Sequence, residues 1–245
     1  SSYVLFGKAA GFSAEMDLSS LDGSNGFRLD GETAYDKAGS SVSNAGDVNG
    51  DGFDDLIIGA NENIASPYND YSGSSYVIFG KASGFEAVMD LSRLNGSNGF
   101  SLEGMAGDSL GSSVSNAGDI NGDGFDDLII GAPRVDPTGT SYVVFGKASG
   151  FDASVDLSRL DGSNGFRLEG EAQFDESGAS VSAAGDINGD GFADLLVGAF
   201  LSGSNGYRSG ASYVFFGKAT GFSAAMDLSS LDGSNGFRLD GLDTF

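Results

Sequence analysis

Short apolar runs closed by glycine recur along the chain: Leu56-Ile-Ile58-Gly59, Leu128-Ile-Ile130-Gly131 and Leu195-Leu-Val197-Gly198. Runs this short, rich in β-branched residues and bounded by turn formers, predict buried strands. A second pattern alternates apolar and polar positions with period two, as in Gly26-Phe27-Arg-Leu29-Asp-Gly31 and its counterparts at Phe100, Phe166 and Phe237. It predicts strands with one buried face. A third, Tyr3-Val-Leu-Phe6-Gly7-Lys8, returns at Tyr76, Tyr142 and Tyr213, and its closing lysine suits a partly exposed strand end. Small-residue segments such as Gly39-Ser-Ser-Val42-Ser43 make a fourth strand type.

The four patterns form one unit. Its tyrosine-led element restarts at intervals of 73, 66 and 71 residues, so the chain is an array of units roughly 70 residues long. Lettered in chain order, strand A is the small-residue segment, B the apolar run, C the tyrosine element and D the alternating one. Four antiparallel strands repeated about an axis, with small residues on the crowded innermost strand, predict an all-β fold: a β-propeller of four-stranded blades. Solenoid repeats are far shorter. The expected division is a half blade (strands C and D) over 1–31, blades over 32–104, 105–170 and 171–241, and the start of a further blade at 242–245. That gives about three and a half blades and fourteen strands. This phase is expected of a segment of a longer repeat protein, or of a subunit whose open ends pair with neighbours.

Between each A and B lies an acidic loop. The copies run Asp47-Val-Asn49-Gly-Asp51-Gly52-Phe53-Asp54-Asp55, Asp119-Ile-Asn121-Gly-Asp123-Gly124-Phe125-Asp126-Asp127 and Asp186-Ile-Asn188-Gly-Asp190-Gly191-Phe192-Ala193-Asp194. Side-chain oxygens at positions 1, 3, 5 and 9, glycine at 6 for a sharp turn and a main-chain carbonyl at 7 (Phe53, Phe125, Phe192) make a cage for a hard cation, naturally calcium. An EF-hand would carry a glutamate at position 12 between helices; here that position is Ile58, Ile130 or Val197, inside a predicted strand. Three calcium sites in β-hairpin loops are therefore expected, closed by Asp55, Asp127 and Asp194.

At this point the chain resembles a known family, the FG-GAP repeats of the integrin α-subunit propeller and their bacterial relatives. The resemblance spans nearly the whole chain and rests chiefly on the Asp-x-Asn-x-Asp-Gly-x-x-Asp loop running into Leu-Ile-Ile-Gly-Ala. It implies a propeller whose A–B loops bind calcium. The leading Phe-Gly of the family is replaced by Ala38-Gly39, Leu110-Gly111 and Ser177-Gly178, and a full Gly-Ala-Pro occurs only at Gly131-Ala132-Pro133.

Composition narrows the function. A formal charge of −23 disfavours nucleic acid and anionic membranes, which are bound through Lys and Arg. No apolar stretch approaches the roughly 20 residues of a membrane span, and the chain has no cysteine, so calcium takes the place of disulfide cross-links. An extracellular or cell-surface location is expected, with any secretion signal upstream of Ser1. Without His or Cys, a Ser-His-Asp triad, a cysteine nucleophile and a His-ligated zinc are excluded, and an enzyme is not expected.

The calcium end is nearly invariant between copies, whereas the B–C loops at the opposite end diverge and carry Tyr68, Tyr71, Arg134, Tyr207 and Arg208. Variable loops on a rigid scaffold are the expected ligand face. The repeated Asp-Leu-Ser-x-Leu segments at Asp17, Asp90, Asp156 and Asp227 are read as capped turns with buried leucines. Phe6, Phe79, Phe145 and Phe216 are read as packing between blades. The function expected is a calcium-binding adhesion or scaffold module contacting a protein partner or itself, as a homo-oligomer or polymer through open propeller ends. The alternative is a lectin-like module binding saccharide through its variable loops.

Overall fold

The computed structural model describes residues 1–62, 71–203, 206 and 208–242. In chain order the strands are β1 (Ser2–Leu5), β2 (Gly26–Asp30), β3 (Ser41–Gly46), β4 (Asp55–Ala60), β5 (Ser74–Ile78), β6 (Val88–Asp90), β7 (Gly99–Glu103), β8 (Ser113–Gly118) and β9 (Asp127–Ala132). They continue with β10 (Thr140–Val144), β11 (Ser154–Val155), β12 (Gly165–Glu169), β13 (Ser180–Gly185), β14 (Asp194–Ala199), β15 (Ala211–Phe215), β16 (Ala225–Asp227) and β17 (Gly236–Asp240). There is no α-helix among the described residues, only four single 310 turns.

Three sheets hold a complete A-B-C-D set: β3-β4-β5-β7, β8-β9-β10-β12 and β13-β14-β15-β17, each antiparallel between neighbours; β1 and β2 make a C-D pair. Strands β3, β8 and β13 lie side by side as the inner strands of successive blades. The sheets form an open row of blades, a partial propeller. The cores lie between blades: Ile57, Val77, Phe100 and Leu102 of one sheet meet Leu128, Ile130 and Val144 of the next.

Two sequence expectations need correction. The described residues hold seventeen strands rather than fourteen. The additional three, β6, β11 and β16, lie in the C–D connections, where no period-two pattern marks them. Each crosses to the preceding blade and pairs in parallel with its D strand: β6 with β2, β11 with β7, β16 with β12. These outer clasps satisfy backbone groups that an edge strand would leave open. Strand C is also shorter than expected, ending before its Phe-Gly-Lys. The glycine N–H there leaves the sheet ladder and donates to a carboxylate, Gly80 to Asp55 Oδ1 at 2.7 Å and Gly146 to Asp127 Oδ1 at 2.9 Å.

The C–D connection also carries a phenylalanine into the preceding blade. Phe85 stacks on Phe27 at 4.7 Å between ring centroids, Phe151 on Phe100 at 4.3 Å and Phe222 on Phe166 at 4.8 Å. Phe6, Phe79 and Phe145 complete each aromatic cluster from the side, as the expectation of packing between blades requires, whereas Phe216 meets Phe237 of its own sheet at 5.9 Å. The lysine closing each C element lies over the ring of this inserted phenylalanine, Lys81 over Phe85 and Lys147 over Phe151, both at 4.8 Å. The capped-turn reading holds: Asp17, Asp90, Asp156 and Asp227 each accept from a serine N–H two residues on. Leu91, Leu157 and Leu228 are buried, whereas Leu18 is exposed.

Candidate calcium loops and the variable loop face

Each acidic loop joins an A strand to its B strand, entered through a β-bulge at Gly46, Gly118 or Gly185, which bends the strand into the turn. In the first loop Asp47 Oδ1 accepts from the N–H groups of Gly50 (2.8 Å) and Asp51 (3.0 Å), and its Oδ2 accepts from Gly52 (2.8 Å). Asn49 Oδ1 accepts from Asp51 N–H at 2.8 Å, and Asp51 Oδ1 from Phe53 N–H at 2.9 Å. Asp119, Asn121 and Asp123 repeat these bonds in the second loop, and Asp186, Asn188 and Asp190 in the third. The residues at positions 1, 3 and 5 thus turn inward and hold the loop in a tight coil. Gly52, Gly124 and Gly191 at position 6 take φ between +87° and +94°, the left-handed region where glycine is favoured.

The position-9 aspartates do something the spacing alone did not show. Asp55, Asp127 and Asp194 are fully buried, and each bridges two segments. Asp55 Oδ2 accepts from Val48 N–H at 3.1 Å while its Oδ1 takes Gly80 N–H from strand C; Asp127 and Asp194 do the same with Ile120 and Gly146, and with Ile187 and Gly217. Burial pushes the Asp55 carboxyl up to about 7 and Asp127 up to about 8, and the neighbouring carboxylates, Asp51 with Asp47 and Asp123 with Asp119, push the same way. Such a charge is costly to bury unless a cation offsets it. Each oxygen of Asp55, Asp127 and Asp194 accepts from one amide and keeps a second lone pair, so the chemistry of these three carboxylates fits a divalent ion. Among the described residues no group of three or more His, Cys, Asp or Glu is arranged as a metal centre; a full shell would also need the asparagine oxygen and the carbonyl of Phe53, Phe125 or Phe192.

The loops are linked from blade to blade. Asp126, at position 8 of the second loop, accepts from Asp47 N–H at 2.9 Å, and the Phe125 ring lies against Gly50. Ala193 N–H donates to the Asp119 carbonyl at 3.1 Å, and Phe192 covers Gly122. The following C strand closes over the loop core as well: Lys147 N–H reaches the Val48 carbonyl and Lys218 N–H that of Ile120. Val48 and Ile120 are accordingly 0% exposed, whereas Ile187 of the third loop is 50% exposed.

At the opposite end, the D–A and B–C loops are stitched by backbone bonds to buried aspartates: Glu62 N–H to Asp36 O, Arg134 N–H to Asp108 O and Leu201 N–H to Asp175 O. Sequence reasoning passed over Asp36, Asp108 and Asp175, although their spacing follows the repeat. Of the expected ligand face, Tyr71 and Arg134 come together, the guanidinium 5.9 Å from the ring centroid. Arg208 lies one blade away, lining a 710 Å³ hollow with Glu171, Phe174 and Asp175. Tyr68 and Tyr207 lie outside the described residues.

The row of four-stranded blades with acidic A–B loops defines a repeat-built β-propeller. The FG-GAP repeat model matches residues 38–78, 110–144 and 177–215. Integrin alpha-4 of Xenopus laevis is 36% identical over 165 residues, 65% of this chain and 14% of that protein. Integrin alpha-V of Gallus gallus is 30% identical over 180 residues, 71% of this chain and 16% of that protein. Phosphatidylinositol-glycan-specific phospholipase D of Bos taurus is 30% identical over 187 residues, 74% of this chain and 21% of that protein. The chain therefore spans a minor part of each of these relatives, and it belongs to the FG-GAP, integrin-α-like propellers.

Proposed function

We propose that this chain is a non-catalytic, extracellular protein-contact module: a row of blades stapled along one end by three calcium ions and presenting divergent loops at the other. The carrying observation is the contrast between the two ends. At one, three copies of the same amide-lined acidic coil each close on a fully buried aspartate. At the other, loops of different length and sequence extend from the same scaffold. Calcium at Asp47, Asn49, Asp51, Phe53 O and Asp55, and at the matching residues of the other two loops, is structural in this reading, since residues of the next blade, Asp126, Lys147 and Lys218 among them, hydrogen-bond to the loop backbone and so join blades there. Similarity to integrin α subunits supports a surface setting and protein partners, and no helix among the described residues is long and apolar enough to cross a membrane.

Thermal unfolding in calcium, in magnesium and in excess chelator tests the reading. At a calcium concentration 100 times the dissociation constant each site adds about 2.7 kcal/mol, so calcium should raise Tm by many degrees and magnesium much less. A Tm unmoved by chelator would sink the calcium reading.

A further inference from the structure

We infer that the middle blade, at the end opposite the acidic coils, carries an open receptor for a carboxylate, built on Tyr142 and Arg167 and filled by an acidic side chain of a protein partner. This rests on the proposed role in protein contact and names the chemistry of one contact.

The blades on either side show what such a receptor holds. In each, the C-strand tyrosine reaches the D–A loop, where a glutamate follows the glycine after strand D. Tyr76 Oη donates to Glu32 Oε2 at 3.2 Å and Tyr213 Oη to Glu171 Oε2 at 3.0 Å. Across the sheet from Tyr213 stands Arg238, and its Nη1 donates to the same Glu171 oxygen at 2.6 Å. The guanidinium serves a second carboxylate at the same time, with Nε 2.9 Å from Asp240 Oδ1. One glutamate thus gathers a buried phenol and an arginine that is already ion-paired.

The middle blade keeps both donors and lacks the acceptor. Tyr142 faces Arg167 in the same register, and Arg167 Nε pairs with Glu169 at 2.7 Å as Arg238 does with Asp240. Where the flanking blades carry glutamate, Met105 follows Gly104 and is 66% exposed. Tyr142 is 8% exposed, against 3% for Tyr76 and 0% for Tyr213 beneath their glutamates. Among the described residues its hydroxyl donates no hydrogen bond, and a buried hydroxyl without a partner is destabilising. A complete blade lies on each side, so the opening belongs to this blade and not to an end of the chain.

Charge at this rim favours an anion. The residue whose N–H bonds the carbonyl of the buried D–A aspartate is Glu62 in the preceding blade and Leu201 in the following one, but the exposed Arg134 in the middle blade. Methionine for glutamate, and arginine for glutamate or leucine, each move the rim away from the negative charge of the chain as a whole, −23. Asp108 lies near Tyr142, yet its counterpart Asp175 lies near both Tyr213 and Glu171. This architecture therefore accommodates a second carboxylate beside the buried aspartate. An incoming glutamate or aspartate side chain repeats a contact that the chain makes twice within itself.

Tyrosine isotopically labelled at Cζ reports the site by magnetic resonance, with Tyr142→Phe assigning the signal. The calcium-loaded chain is titrated with glutamate capped by acetyl and methylamide groups, with the equally capped glutamine as neutral control and with acetate as a free carboxylate. Expected is a saturable shift of the Tyr142 signal with capped glutamate and none with capped glutamine. Arg167→Gln should weaken that binding about tenfold. Met105→Glu should abolish it, because the tethered carboxylate then occupies the receptor and moves the Tyr142 signal toward those of Tyr76 and Tyr213. A Tyr142 signal unmoved by capped glutamate overturns the inference, and so does a response shared by capped glutamine or one that survives Met105→Glu. Acetate binding as tight as that of capped glutamate would assign the receptor to a free carboxylate and overturn the protein partner. Each of these failures leaves the calcium-stapled module standing, since the chelator test reads other residues.

Discussion

Phe166 and Phe237 occupy the same local sequence, Asp-Gly-Ser-Asn-Gly-Phe-Arg-Leu, at 161–168 and 232–239. Phe166 is fully buried, stacked on Phe222 at 4.8 Å and flanked by Phe145 at 5.8 Å and Phe215 at 5.7 Å. Phe237 is half-buried, and its ring partner is Phe216 at 5.9 Å. Truncating a fully buried phenylalanine costs about 3–5 kcal/mol, and loss of a stacked partner adds about 0.5–1.5. Phe166→Ala should therefore cost about 4–5 kcal/mol, whereas Phe237→Ala, losing about half the burial and no stack, should cost about 2. Urea unfolding in saturating calcium, followed by circular dichroism, measures the difference. With a slope of roughly 3 kcal/mol per molar for a chain of this size, the two midpoints should separate by about 0.8 M. Equal shifts would refute the reasoning, because they would mean that insertion from the next blade contributes nothing to the aromatic cluster.

Val114 and Val42 sit in identical Ser-Val-Ser-Asn-Ala-Gly strands but are 5% and 60% exposed; Val114→Ala should cost about 2 kcal/mol and Val42→Ala within about 0.5, read by the same unfolding assay. Gly162→Ala should destabilise clearly more than Gly233→Ala, because both carry the same backbone strain but only Gly162 faces a carbonyl at 2.1 Å; equal Tm losses would count against the clasp. Asp126→Ala removes the acceptor for Asp47 N–H, so calorimetric titration should show one of three calcium sites weakened and two unchanged. Asp90→Ala, which deletes a cap bond to Ser92 N–H of 3.0 Å, should cost about 1 kcal/mol; no change in Tm would argue that the turn is held by Leu91 alone.

Much of the architecture was legible from local pattern. Strand type follows from side-chain period, and the repeat follows from the return of Tyr3, Tyr76, Tyr142 and Tyr213; together they imply blades and their strand order. The acidic coil was equally legible, since residues within nine positions make most of its bonds. The clasps β6, β11 and β16 were not, because two or three residues are too few to show a period and their partners lie on another blade. The bridging role of Asp55 was hidden for the same reason: its second partner, Gly80, is 25 residues away.

Sequence by itself determined the unit: four strands, a capped turn and a glycine-hinged acidic loop, all set by interactions among near neighbours. Only the tertiary structure decided how deeply each copy of a given residue is buried. Identical residues at 42 and 114, or at 166 and 237, differ because burial is a property of the adjoining blade. The clasp strands show the same rule, since each is fixed by a D strand of another blade rather than by its own neighbours.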